Sequence, residues 1–145
     1  MKNTFLLLLI ICALFSCKKK EDPAPAQQVT QPISNTAETV KKGDFIGYQH
    51  NLSGKAFIIK EGTKYILRFT EYNMTSGPNV DVLLSKSASY SANNVVKISD
   101  IDGSFNNSSI NFDLAPSLIW QDYPYVIIWC TDYNVNFGSA QLLNP

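Results

Sequence analysis

The sequence predicts an all-β domain, an antiparallel sandwich or barrel of about eight short strands, behind a leader and a tether. Three observations predict it. Apolar residues make up 45% of the chain and charged residues 17%, which suits a packed core. From Gly43 onward, short β-type runs alternate with turn residues. No stretch there carries a helical period.

Phe45-Ile-Gly-Tyr48 is the first run. Ser53-Gly54 leads into Lys55 to Lys60, centred on Ala-Phe-Ile-Ile. Glu61-Gly62 is a turn signal before Tyr65-Ile-Leu-Arg-Phe69, so these two runs read as a hairpin. Tyr65, Leu67 and Phe69 fall on one face and Arg68 on the other. Ser76-Gly-Pro-Asn79 is a strong break. Val80, Val82 and Leu84 then alternate with Asp81 and Leu83. Val95 to Ile98 is short and runs into Asp100-Ile-Asp-Gly103, which is half of a calcium loop without its distal glutamate and reads better as a turn. Ser109 to Leu114 puts Ile110, Phe112 and Leu114 on one side. Tyr125-Val-Ile-Ile-Trp-Cys130 is apolar on both faces and predicts a central, covered strand. Val135 to Leu143 gives the last strand, with a bulge expected at Gly138.

The N-terminus reads differently. Lys2 precedes a short apolar run from Phe5 to Ile11, too short to span a bilayer as a mature helix. Leu14-Phe-Ser-Cys17 resembles the lipobox of bacterial lipoproteins. The expectation is that residues 1–16 are a signal peptide, that Cys17 carries acyl chains (palmitate among them), and that the chain is anchored in the cell envelope through them. Residues 18–42 read as a tether, with a charge run at Lys18 to Asp22 and prolines at 23, 25 and 32. That charge run resembles surface-export signals of double-membrane bacteria, and reads equally well as a solvated spacer. An outer-membrane anchor, facing either the periplasm or the cell exterior, is the expected location.

With Cys12 in the leader and Cys17 lipidated, Cys130 is the one thiol left in the mature chain. A lone thiol in an oxidising compartment is either buried and inert or exposed and used. Six basic and nine acidic residues from Gly43 onward give a net charge of −3, which argues against nucleic-acid binding. The sequence has no GxGxxG, P-loop, CxxC, HExxH or c-type haem motif. His50 is the single histidine, so no two-histidine metal site is available within one chain. No nucleophile–base pair is visible, which speaks against a stand-alone enzyme.

Three ordered segments carry a family resemblance. They are Gly43-Asp-Phe-Ile-Gly-Tyr-Gln-His50 with Ser53-Gly54-Lys-Ala; Tyr65-Ile-Leu-Arg-Phe with Gly77-Pro-Asn-Val-Asp-Val-Leu-Leu-Ser; and Val126-Ile-Ile-Trp-Cys130 with Val135-Asn-Phe-Gly-Ser-Ala140. Together, over about residues 43–143, they resemble the DM-thirteen domain, also called the electron-transfer DM domain. The resemblance implies an all-β domain whose cysteine takes part in redox reactions, as a bare thiol or through a bound group such as haem. It places that role on Cys130, with His50 as the family's histidine. It also implies a redox partner outside this domain, another protein or a soluble cofactor.

Each candidate has an ordinary reading beside the chemical one. Cys130 serves equally as a small buried hydrophobe, in which case the domain is a cell-surface binding or adhesion module. Reactivity would need a strand-end position, access and a cationic neighbour, and Asp132 works against it by charge repulsion. His50 is a base beside the thiol, an axial haem ligand, or a turn histidine bonded to backbone. Trp120, Trp129, Tyr123, Tyr125, Tyr133 and Phe137 line a cofactor pocket, relay electrons, or are core.

Overall fold

A computed structural model describes residues 36–48 and 50–145. Eight strands follow one another: β1 (Glu38–Gly47), β2 (Leu52–Glu61), β3 (Lys64–Met74), β4 (Val80–Ser85), β5 (Val95–Asp100), β6 (Phe105–Asp113), β7 (Tyr125–Cys130) and β8 (Val135–Gln141). Two three-residue 3-10 turns, at Ala92–Asn94 and Trp120–Asp122, are the only helical elements among the described residues. The signal peptide, Cys17 and residues 18–35 of the expected tether lie outside the described residues.

All eight strands join one antiparallel sheet in the order β5-β4-β7-β8-β1-β2-β3-β6. The sheet curls around one core and stays open between its edges β5 and β6, so sandwich and barrel resolve into an open half-barrel. β1 makes the corner. Its first part pairs with β2 through Asp44↔Lys55, and Phe45 to Gly47 pair with β8. Gly43 permits the turn of direction, because a Cβ there would sit 2.1 Å from the Gln141 carbonyl oxygen. β1 starts at Glu38, five residues before the expected boundary at Gly43. Glu38-Thr-Val-Lys-Lys is too polar to announce a strand, but its backbone pairs with β2 and Val40 packs on the core.

The alternation read from the sequence sorts the side chains as expected. Leu67, Phe69, Val80, Val82, Leu84, Val126, Ile128 and Cys130 enter the main core, with Tyr65, Ile110 and Phe112 packed against it. β7 lies between β4 and β8. Its outer face, Ile127 and Trp129, joins Leu83 and Val95 in a second, smaller cluster, which is why both faces of this strand are apolar. The hairpin β2–β3 turns at Glu61 to Lys64, as the Glu61-Gly62 signal requires. The bulge in β8 falls on Phe137: Gly138 and Asn136 face successive residues of β7, leaving Phe137 as the extra residue.

Candidate functional site around Cys130

Cys130 closes β7, at the end of the sheet where the β3–β4 connection and the β7–β8 turn meet. Strand alternation points its side chain inward, opposite to Trp129, and it has no accessible surface. Its backbone partners are Val80 and Val135. The thiol donates to the carbonyl oxygen of Pro78, with sulfur and oxygen 3.0 Å apart.

Pro78 and Asn79 are themselves exposed, so the stretch of chain that accepts the thiol lies at the surface. That stretch is latched to the turn after β7. The Thr131 amide donates to the Asn79 carbonyl at 3.0 Å, and the Asn79 side-chain amide donates to Asp132 Oδ1 at 2.9 Å. Asn79 adopts φ +50°, a conformation that asparagine tolerates better than most residues. The Thr131 hydroxyl donates to Asp81 Oδ2 at 2.7 Å, tying the same turn to β4. Asp132, which the sequence sets two residues from the thiol, is therefore engaged in the latch.

His50 sits in the β1–β2 connection, half-buried, with its ring stacked on Phe137 at 3.8 Å between centroids and 18° between planes. Phe137 is 2% exposed and held on another side by Gly77, where an added Cβ would lie 2.6 Å from Phe137 Cζ. Gly77 thus lets the backbone close onto the ring. The next residue, Pro78, receives the thiol. His50 is thus linked to Cys130 only indirectly, through Phe137, Gly77 and Pro78 in turn. Among the described residues no hydrogen bond joins them, and the thiol is taken by the Pro78 carbonyl.

Cys130 offers no accessible sulfur to a haem iron in this arrangement, while the His50 ring nitrogens are not covered by the stacking of its face on Phe137.

The aromatic residues divide. Phe137 belongs to the site. Tyr125 and Trp120 lie at or before the start of β7, with Cys130 at its end, and Trp120 tilts against Tyr65 at 5.2 Å. Tyr123 packs against the main core. Tyr133 is 70% exposed in the turn after Cys130. Trp129 turns to the outer face and stacks on Tyr90 at 4.0 Å, with 9° between planes. Tyr90 lies in the β4–β5 connection, and a lone tyrosine among Ser, Ala and Asn gives no periodic signal of such a role. The latching role of Asn79 is equally hidden in the sequence; its place between a proline and a strand is the one available clue to a cap.

The match to known families decides the wider assignment. The family described as electron transfer DM13 matches residues 44–142. The chain belongs to this family. No curated protein and no solved structure matches it at a significant level. The DM13 match spans β1 from Asp44 through β8, so Cys130, His50, Phe137 and the Gly77–Asn79 cover all lie within the electron-transfer domain.

Proposed function

We propose that this DM13 domain is a redox module whose working group is the Cys130 thiol, held at the membrane by lipid on Cys17. Family membership supports the electron-transfer class. The observation that carries the cysteine assignment is local: the thiol lies at a strand end and donates to an exposed, side-chain-latched stretch of chain. Burial alone makes a thiol inert. A removable cover makes it selective, because only a partner that displaces Gly77–Asn79 reaches the sulfur. The Cys130 thiolate can then attack a disulfide such as oxidised glutathione, forming a mixed disulfide and releasing one thiol. A partner dithiol attacks that mixed disulfide, and its second thiol closes the partner's own disulfide. The Cys130 thiol and the second small thiol are released, so two electrons pass from dithiol to disulfide.

The complete burial of Cys130 also favours a second reading, a surface binding or adhesion module in which the sulfur only packs. Exposure of the folded chain to oxidised glutathione, followed by intact-mass analysis, separates the two. The redox reading expects one glutathione on Cys130, absent from Cys130→Ser. Addition seen only in denaturant would leave the packing reading standing.

Membrane attachment rests on the Leu14-Phe-Ser-Cys17 segment. Metabolic labelling with a palmitate analogue in a bacterial host tests it, with Cys17→Ala as the unlabelled control.

A further inference from the structure

The curled sheet leaves two edges, β5 and β6, and they are built differently. An open edge offers unpaired N–H and C=O groups to any strand that meets it, and folded proteins blunt it with short strands, charges or proline. β5 is six residues long and carries Lys97 and Asp100. β6 is nine residues long, Phe105-Asn-Asn-Ser-Ser-Ile-Asn-Phe-Asp113, with neither lysine nor proline and a single charge at its last position. A bulge bends only its first part, where Asn107 takes φ +46°. From Ile110 to Asp113 it runs in unbroken register along β3.

That register fixes which backbone groups are free. The Leu114 amide donates to the Tyr65 carbonyl at 3.0 Å. Antiparallel pairing alternates, so Phe112 and Ile110 also turn their backbone groups to β3. Ser109, Asn111 and Asp113 then point their N–H and C=O groups away from the sheet, and no main-chain partner meets them among the described residues. The side chains alternate as well. Ile110 and Phe112 pack against the core and stay partly exposed at the edge, while Ser109, Asn111 and Asp113 are exposed on the outer side.

This stretch is complementary to itself. A second Ser109–Asp113 segment, laid antiparallel to the first with Asn111 on the two-fold axis, answers every outward backbone group. Asn111 faces Asn111 and Ser109 faces Asp113 in both halves, which gives about six hydrogen bonds. Ile110 of each copy faces Phe112 of the other, so the partly exposed apolar side chains cover one another. The one charge, Asp113, meets a serine and not its own twin. A register centred on Ile110 is poorer, because it sets Phe112 against Ser108 and Asp113 against the bent Asn107. We infer that β6 is the two-fold interface of a homodimer, in which two half-barrels join into one continuous sheet. A strand pair this short buries less than the about 1,200 Å² of a stable interface, so the dimer is weak and concentration-dependent. The inference does not rest on the redox reading.

Sedimentation equilibrium of the full chain should show a monomer–dimer equilibrium in the micromolar range. Asn111→Pro removes an outward N–H at an edge position where proline is tolerated, and should abolish the dimer. Charge at position 109 tests the register without breaking the strand. Ser109→Lys faces Asp113 of the second copy and should tighten the dimer, whereas Ser109→Glu should loosen it. The two dissociation constants should differ by about fivefold or more, since the pair occurs twice. Asn106→Lys and Asn106→Glu, outside the pairing, should leave the equilibrium unchanged. A chain that stays monomeric at millimolar concentration would overturn the dimer and leave the edge to a strand from another protein. Association that survives Asn111→Pro would overturn it by placing the contact elsewhere. Equal effects of lysine and glutamate at 109, or the same charge response at 106, would overturn it in favour of non-specific attraction.

Discussion

The carbonyl oxygen of Pro78 accepts the Cys130 thiol at 3.0 Å, while Pro78 itself faces solvent. One residue of loop thus serves as both partner and cover. Everything proposed for the thiol follows from how firmly that cover is held, and the cover is held chiefly by Asn79.

Asn79→Ala removes the bond to Asp132 and places alanine at φ +50°, which it adopts at a cost. Loss of this exposed hydrogen bond and the added strain should lower stability by about 1–2 kcal/mol. Urea unfolding measures that loss. Asn79→Gly keeps the backbone conformation and removes only the bond, so it should lose less.

Gly77→Ala should cost about 1–3 kcal/mol, because its methyl group meets Phe137 Cζ at 2.6 Å and that ring is already stacked on His50. The histidine ring resonances should shift in the same variant, since displacement of Phe137 changes the ring against which they lie. A silent histidine spectrum would show that the ring yields elsewhere.

The β-fold was legible because it is written in alternation. Val80/Val82/Leu84 and Val126/Ile128/Cys130 face inward by period alone, and the doubly apolar β7 could only be central. The start of β1 was not legible, since its pairing is made by backbone atoms under polar side chains. The site was legible as a set of residues and not as an arrangement. Cys130, His50 and Phe137 each stand out in the sequence, yet nothing local states that Phe137 would intervene between the histidine and the loop over the thiol. That depends on the β8 bulge and the glycine at 77, which are long-range features.

Lys97 bridges Asp81 Oδ1 at 2.8 Å and Asp100 Oδ1 at 2.6 Å on β4 and β5. Its hydrogen bonds to Asp100 and Asp81 raise the ammonium above its ordinary value of 10.5, and the Lys97 hydrogen bond lowers Asp100 below 3.8. The carboxylate contribution is complete above 3.8 and fades as pH falls through the depressed value; the ammonium contribution is complete below 10.5 and fades as pH rises above it. Stability from this network should therefore be flat between about pH 5 and 9. Lys97→Met removes the ion-pair partner of Asp81 Oδ1 and leaves Oδ2 bonded to Thr131, and should cost about 1–2 kcal/mol at neutral pH, measured by urea midpoint.

Cys130→Ala empties core volume at a site with no exposure and should cost about 1–2 kcal/mol. Cys130→Ser retains a donor for the Pro78 carbonyl at nearly the same volume. If the domain is a redox module, both variants lose electron-transfer competence with a partner, whatever their stabilities. If the sulfur only packs, activity should follow stability and the serine and alanine variants should differ accordingly.

The sharpest test is the rate at which a small alkylating agent modifies Cys130 in the folded protein, set beside the rate of global unfolding under the same conditions. A cover that opens on its own predicts labelling faster than global unfolding allows, and a further increase in Asn79→Gly beyond its loss of stability. Labelling that keeps pace with global unfolding in both proteins would refute the removable cover and return Cys130 to the core as an inert side chain.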